Sequence, residues 1–298
     1  DDHGRVRVYQ WLSSKWEQLG GDIIGEDGDD EAGSAVSLSK DGSRLAVGAA
    51  QEESKGKGKV RVYSYDDASW QPLGGYLVGE KDEDRFGSTV AISGSGTRLA
   101  VGAPFNDPGV LENAGHVRVF EWNGVEWSSM GTAIDGKVNG DLSGWSVSLS
   151  DDGSRLALGG IEEAGDGLLK GHVRVYEWNA TADDWKQLGA DFTGDKAEDY
   201  LGRSVSLSAD GAHVAIGAKL HDKSDGEDTK SNIGHVKVYR FDDTSGSWQQ
   251  LGEDIDGKEQ DDKSGTAVSL SADGSRVAIG APGYDDTVRG LDNTGHVT

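Results

Sequence analysis

The sequence predicts an all-β protein, a β-propeller of five four-stranded blades closed by N-terminal strands that complete the last blade. Three observations carry this. A tryptophan opens each of five units, at Trp16, Trp70, Trp127, Trp185 and Trp248, at spacings of 54, 57, 58 and 63 residues. Asp-Gly pairs punctuate the units at Asp41-Gly42, Asp152-Gly153, Asp210-Gly211 and Asp273-Gly274. No segment holds a helical apolar period for three turns, whereas period-two alternation recurs throughout.

Taken in order, each unit runs through W-x-x-L-G, an acidic segment between two glycines, V-S-L-S, a tight turn, L-A-V-G-A and G-H-V-R-V-Y. We number V-S-L-S as strand 1, L-A-V-G-A as strand 2, G-H-V-R-V-Y as strand 3 and W-x-x-L-G as strand 4. Strand 1, as in Val36–Ser39 and Val205–Ser208, alternates aliphatic residues with Ser, the signature of a strand with two unlike faces. The Asp-Gly turn follows, where a hairpin needs positive φ at little steric cost. Strand 3, as in Val117–Phe120 and Val173–Tyr176, alternates Val with larger or charged residues. A four-stranded unit repeated around a ring buries each sheet against its neighbours and removes long free edges, which a solenoid or paired sandwiches do less well. Residues 1–298 thus read as one propeller domain. Arg5–Tyr9 and Trp16–Leu19 supply a strand 3 and strand 4 that Thr266–Ser271 and Arg276–Ala281 lack, while Gly295–Thr298 begins a competing strand 3.

Composition excludes several classes of function. The 29 basic and 53 acidic residues give a net charge of −24, which argues against a nucleic-acid partner, since phosphate binding requires clustered Lys and Arg. The absence of Cys rules out disulfides, thiolate zinc sites and cysteine nucleophiles. No apolar run is long enough for membrane insertion.

Residues 84–104, DRFGSTVAISGSGTRLAVGAP, followed by GHVRVF at 115–120, resemble the FG-GAP repeat of integrin α-subunit propellers and related extracellular proteins. The literal Phe-Gly stands at Phe86-Gly87 and Gly-Ala-Pro at Gly102–Pro104 and Gly280–Pro282; other units keep Gly-Ala or Gly-Gly. The resemblance implies a propeller, an extracellular or cell-surface location, adhesion or ligand binding through the face of the 4–1 and 2–3 connections, and calcium in an Asp-rich 1–2 loop. Here that loop has shrunk to Lys40-Asp41-Gly42-Ser43 and its equivalents, one carboxylate where calcium takes six to eight oxygens.

Strands of a meander alternate in direction, so the 4–1 and 2–3 connections share one face. The 4–1 segments hold 16 acidic and 6 basic residues, and the 2–3 loops 14 acidic and 6 basic, placing a net −18 on that face. Such a face favours a basic or cation-bridged partner. One Asp recurs three residues before a Gly, at Asp30, Asp84, Asp141, Asp199 and Asp262, and recurrence points to a turn that accepts backbone N–H bonds. The functional alternative is a calcium site that adds neighbours such as Asp27, Asp29, Asp82, Asp195 and Asp261. Asp222, Asp225 and Asp228 form a separate acidic cluster in the longest 2–3 loop. The strand-3 basic position, His116, His172, His235 and His296 with Arg5 and Lys59 in register, reads as structural.

Residues that break the repeat are the ligand-binding candidates. Trp145 stands where other units have Ser34, Ser88, Arg203 and Thr266, with Phe105, Tyr200 and Tyr284 near it in register; exposed aromatics suit sugar rings or a protein hot spot. Asn179-Ala180-Thr181 is a glycosylation sequon on the opposite face. No contiguous catalytic motif occurs. The reading from sequence is a non-catalytic extracellular propeller that binds a protein or glycan through its acidic face. One alternative is a structural segment of a longer shell, fibre or cell-surface array; another is a propeller hydrolase or lyase.

Overall fold

The computed structural model describes residues 3–51, 56–161, 169–225, 228–284 and 295–298, with the side chains of 224–229 left aside. It is all-β: five blade units stand side by side in a propeller arrangement. Blade 1 is Ala32–Leu38, Arg44–Ala49, Lys59–Asp66 and Ser69–Pro72; blade 2 is Thr89–Ile92, Arg98–Ala103, His116–Trp122 and Trp127–Ser129. Blade 3 is Ser146–Leu149, Arg155–Gly160, His172–Asn179 and Asp184–Gln187; blade 4 is Leu201–Leu207, His213–Ala218, His235–Asp242 and Ser247–Gln250. Each is an antiparallel meander in sequence order, and a two-residue strand after each fourth strand pairs with the third.

Blade 5 holds Ala267–Leu270, Val277–Ala281 and His296–Val297. Here the structure corrects one expectation. The third place beside Val277–Ala281 is filled by His296–Val297, through the Gly280↔Val297 and Ala281↔His296 pairs. Arg5–Val6 pairs instead with Ile23–Ile24, and Tyr9–Leu12 with Lys15–Gln18, so the N-terminal strands form a ribbon beside blade 1. The G-H-V repeat of Gly295–Val297 carries the same strand-3 signal as Arg5–Tyr9 and lies next to its own blade in the chain, which is the shorter closure.

The V-S-L-S alternation explains how blades join. First strands touch first strands from blade to blade, so they line the axis. Their aliphatic residues pack within the blades, while their hydroxyls cross to the next blade. Ser37 Oγ accepts from the Ile92 N–H (3.1 Å), Ser148 Oγ from Leu207 (3.0 Å) and Ser206 Oγ from Leu270 (2.9 Å). Thr89, Ser146 and Ser204 in turn donate to the carbonyls of Gly144, Gly202 and Gly265 at 2.8 Å. At the outer edge the strand-4 indoles of blades 1–4 donate to the preceding unit: Trp70 to Leu19 O, Trp127 to Leu73 O, Trp185 to Met130 O and Trp248 to Leu188 O, at 2.8–2.9 Å. The second strands, such as Leu99–Val101 and Leu156–Leu158, are fully buried between these layers.

Candidate functional site

The 4–1 and 2–3 connections do converge on one face, and its framework is the recurrent Asp. Asp30, Asp84, Asp141, Asp199 and Asp262 are all buried, at 0–2% exposure. Each carboxylate accepts a backbone N–H from three or four residues upstream: Asp27, Lys81, Lys137, Lys196, and for Asp262 both Lys258 and Glu259. The turn forces the flanking backbone into the left-handed region: φ is 64° at Asp29, 54° at Glu31 and Arg85, 65° at Glu198 and 53° at Tyr200. A non-glycine residue pays for that conformation, and the buried carboxylate bonds hold it in place.

In four of the five a second partner comes from a protein side chain, whereas the buried Oδ1 of Asp262 has no hydrogen-bond partner among the described residues. Lys59 Nζ lies 2.7 Å from Asp30, Asn106 donates to Asp84 at 2.8 Å, Arg174 reaches Asp141 at 3.3 Å and His221 Nδ1 meets Asp199 at 3.0 Å. Asp27 is bound by Lys59, Asp195 by Lys237, and Asp261 by the Asn232 amide. Asp29 and Asp82 are exposed. The carboxylates of Asp27, Asp30, Asp84, Asp195, Asp199 and Asp261 thus already hold N–H donors or ammonium groups. Among the described residues one group of metal-competent atoms does converge, in blade 4, where ligand atoms of Asp195, His235 and Asp254 lie within 4.8 Å of one another. The Lys237 ammonium, on Asp195 and 3.6 Å from Asp254, occupies the charge position of that group.

Blade 4 differs from its sisters in chemistry. Where Gln51 and Asn106 pair with the recurrent Asp of their blades, His221 pairs with Asp199 and stacks on His235 with ring centroids 4.0 Å apart. Burial works to raise the Asp199 carboxyl, but hydrogen bonds from His221 and the Lys196 N–H outweigh it and hold the group below its ordinary range. His235, 1% exposed, is pushed down by burial and by His221 and Lys237 and stays neutral at pH 7. Sequence reasoning missed His221; the available signal was a histidine outside the strand-3 register.

The aromatic candidates separate. Phe105 and Trp145 meet edge to face at 6.4 Å, with Arg85 over Phe105 at 4.3 Å and Arg203 over Trp145 at 5.6 Å. Tyr200 carries Lys219 at 5.5 Å. Tyr284 does not join them: it stacks on His296 at 4.9 Å, the place His221 takes on His235. Asp222 is engaged locally, accepting the Asn232 N–H at 2.7 Å. The side chains of Asp225 and Asp228 lie outside those described. Asn179 Oδ1 accepts the Thr181 and Ala182 N–H groups, shaping the 3–4 turn that carries the sequon.

Residues 80–120, a 4–1 segment and the first three strands of blade 2, match the family model of the FG-GAP repeat. The chain is an FG-GAP-like propeller. The motif has a spatial meaning in it: a Cβ on Gly102 of Gly-Ala-Pro would lie 2.2 Å from the carbonyl of Gly144, the glycine that corresponds in the next blade to Gly87 of Phe-Gly. A comparison with curated proteins gives no match. Among solved structures, the propeller is similar to the periplasmic gluconolactonase of Pseudomonas aeruginosa, with a TM-score of 0.58 and 16% identity over 98% of this chain and 78% of that one. That likeness overturns the ground for a non-catalytic reading, since this propeller shares its fold with an enzyme. The lack of a contiguous motif does not decide the question, because a propeller can draw a site from connections of several blades.

Proposed function

We propose that this chain is a propeller hydrolase acting outside the cytoplasm on a cyclic ester of a sugar acid, with Asp199–His221 as its proton-transfer pair. The observation that carries the reading is the buried Asp199–His221 contact at 3.0 Å in a propeller similar to a gluconolactonase. With Nδ1–H donated to Asp199, the imidazole keeps its lone pair on Nε2, the arrangement of a general base for water. Water attacks the lactone carbonyl, Nε2 takes the proton, the C–O ring bond breaks and the alkoxide leaving group recovers the proton. The FG-GAP resemblance and the periplasmic neighbour both support a location outside the cytoplasm.

His221→Gln is the decisive variant, because a Gln side chain, that of Gln51, already donates to the recurrent Asp of blade 1. Lactone hydrolysis followed by acid release in a pH-stat should fall by about 10²–10⁴-fold in His221→Gln. Wild-type protein no faster than buffer on aldonolactones, or an undiminished His221→Gln, overturns the proposal.

A further inference from the structure

The acidic face contains a local reversal of sign. Arg203 sits in the bulge between Leu201 and Ser204 at the start of blade 4's first strand, and Lys219 directly follows the second strand. With Lys263 of the next 4–1 segment they form a cluster at the axial rim: burial lowers the Lys219 ammonium, and the charges of Arg203 and Lys263 lower it further. Among the described residues no carboxylate lies within ion-pair distance of any of the three. Arg203 is desolvated enough that burial alone depresses its guanidinium, and its buried Nε has no hydrogen-bond partner. A partly buried guanidinium without a carboxylate among the described residues is costly and has five N–H donors in a planar fork suited to a carboxylate.

Apolar rings border the cations. Trp145 lies under Arg203 and against Phe105, and Tyr200 lies under Lys219. A ring face beside a guanidinium suits a sugar ring bearing one negative group. The surrounding net −18 limits the ligand's charge, since a polyanion such as a nucleic acid would meet long-range repulsion whereas a single carboxylate need only reach the rim. We propose that Arg203, Lys219 and Lys263, with Trp145, Phe105 and Tyr200, form a binding site for a carboxylated sugar. This deepens the hydrolase reading by naming a sugar acid as the recognised class, and it reverses the basic partner that net charge alone suggests.

The test is calorimetric titration of the His221→Gln protein with gluconate and galacturonate, against glucose and galactose as neutral counterparts. Binding is read without turnover, so its outcome is independent of hydrolysis. The repeat supplies variants that the fold already tolerates: Arg203→Ser reproduces Ser34 and Ser88, Lys219→Ala reproduces Ala50, and Trp145→Ser reproduces the same serine position. We expect the acids to bind at least tenfold more tightly than the neutral sugars, Arg203→Ser and Lys219→Ala each to weaken the acids at least tenfold, and added salt to weaken them further. Equal binding of neutral and acidic sugars, no binding of the acids, or affinity unchanged in Arg203→Ser and Lys219→Ala overturns the site. Acid binding with no lactonase activity in the wild type supports the site and overturns only the hydrolase reading.

Discussion

Two glycines that look alike in sequence have different work. Gly42, in the 1–2 turn, has φ of 70° and open space around its Cα, so Gly42→Ala meets only the strain of the left-handed conformation, about 1–2 kcal/mol. Gly102 needs no unusual φ, but an added Cβ meets Gly144 O at 2.2 Å and Thr89 Oγ1 at 2.3 Å, both fixed at the interface of blades 2 and 3. Gly102→Ala must therefore separate two blades, at a cost of about 1–3 kcal/mol or more. Urea denaturation of the two variants should rank Gly102→Ala as the more destabilised; the reverse order would refute the close-approach account. The same reasoning applies at Arg203, where the residue matters because no described carboxylate pairs with its charge.

Between blades the repeating device is the strand-4 indole. Trp185 buries its ring against Trp178 at 5.5 Å and donates Nε1–H to Met130 O at 2.9 Å, joining blade 3 to the end of blade 2. Trp185→Phe removes the hydrogen bond, about 0.5–1.5 kcal/mol. Trp185→Ala also opens a cavity, bringing the loss to about 3–5 kcal/mol. Chemical unfolding should show that ladder; equal losses for both variants would mean that the indole N–H, and not the ring, dominates the joint. The exposed Trp16 of the N-terminal ribbon has Trp11 as its ring partner at 5.6 Å, without the burial Trp185 has. The element is the same, and its neighbour decides what it contributes.

Across the whole molecule, buried strand-3 histidines tie stability to pH. Burial lowers His116 to about 4 from an ordinary 6.5, and His172 and His235 move the same way. Between those values the unfolded chain binds protons that the folded chain refuses, so stability is fully present above about pH 6.5 and declines as pH falls toward 4. Each such group forfeits of the order of 3 kcal/mol when the decline is complete. Melting temperature should thus drop between pH 6.5 and 4, and His116→Asn should flatten that slope relative to wild type; parallel curves would place the acid sensitivity elsewhere. Because His116, His172 and His235 sit in three successive blades, the transition belongs to the assembled propeller and not to one loop.

The blade repeat was legible because each strand carries a local signal: alternating Val and Ser, Asp-Gly at the hairpin, Trp at strand 4. The recurrent Asp was legible as a turn residue for the same reason, since its backbone partners lie three or four residues away. Asp199–His221, 22 residues apart, and the rim of Trp145, Arg203 and Lys219 were not, because charge sums over loops cannot show which side chains face one another. By itself the sequence determined an acidic FG-GAP-like propeller and the strands of blades 1–4, through alternation and turn signals that are local in the chain. Only the tertiary structure decided that Val277–Ala281 takes His296–Val297 as its neighbour, that one imidazole replaces an amide on a recurrent Asp, and that cations gather within an acidic face. Those features arise where connections from different blades meet, and long-range packing alone sets their distances and desolvation.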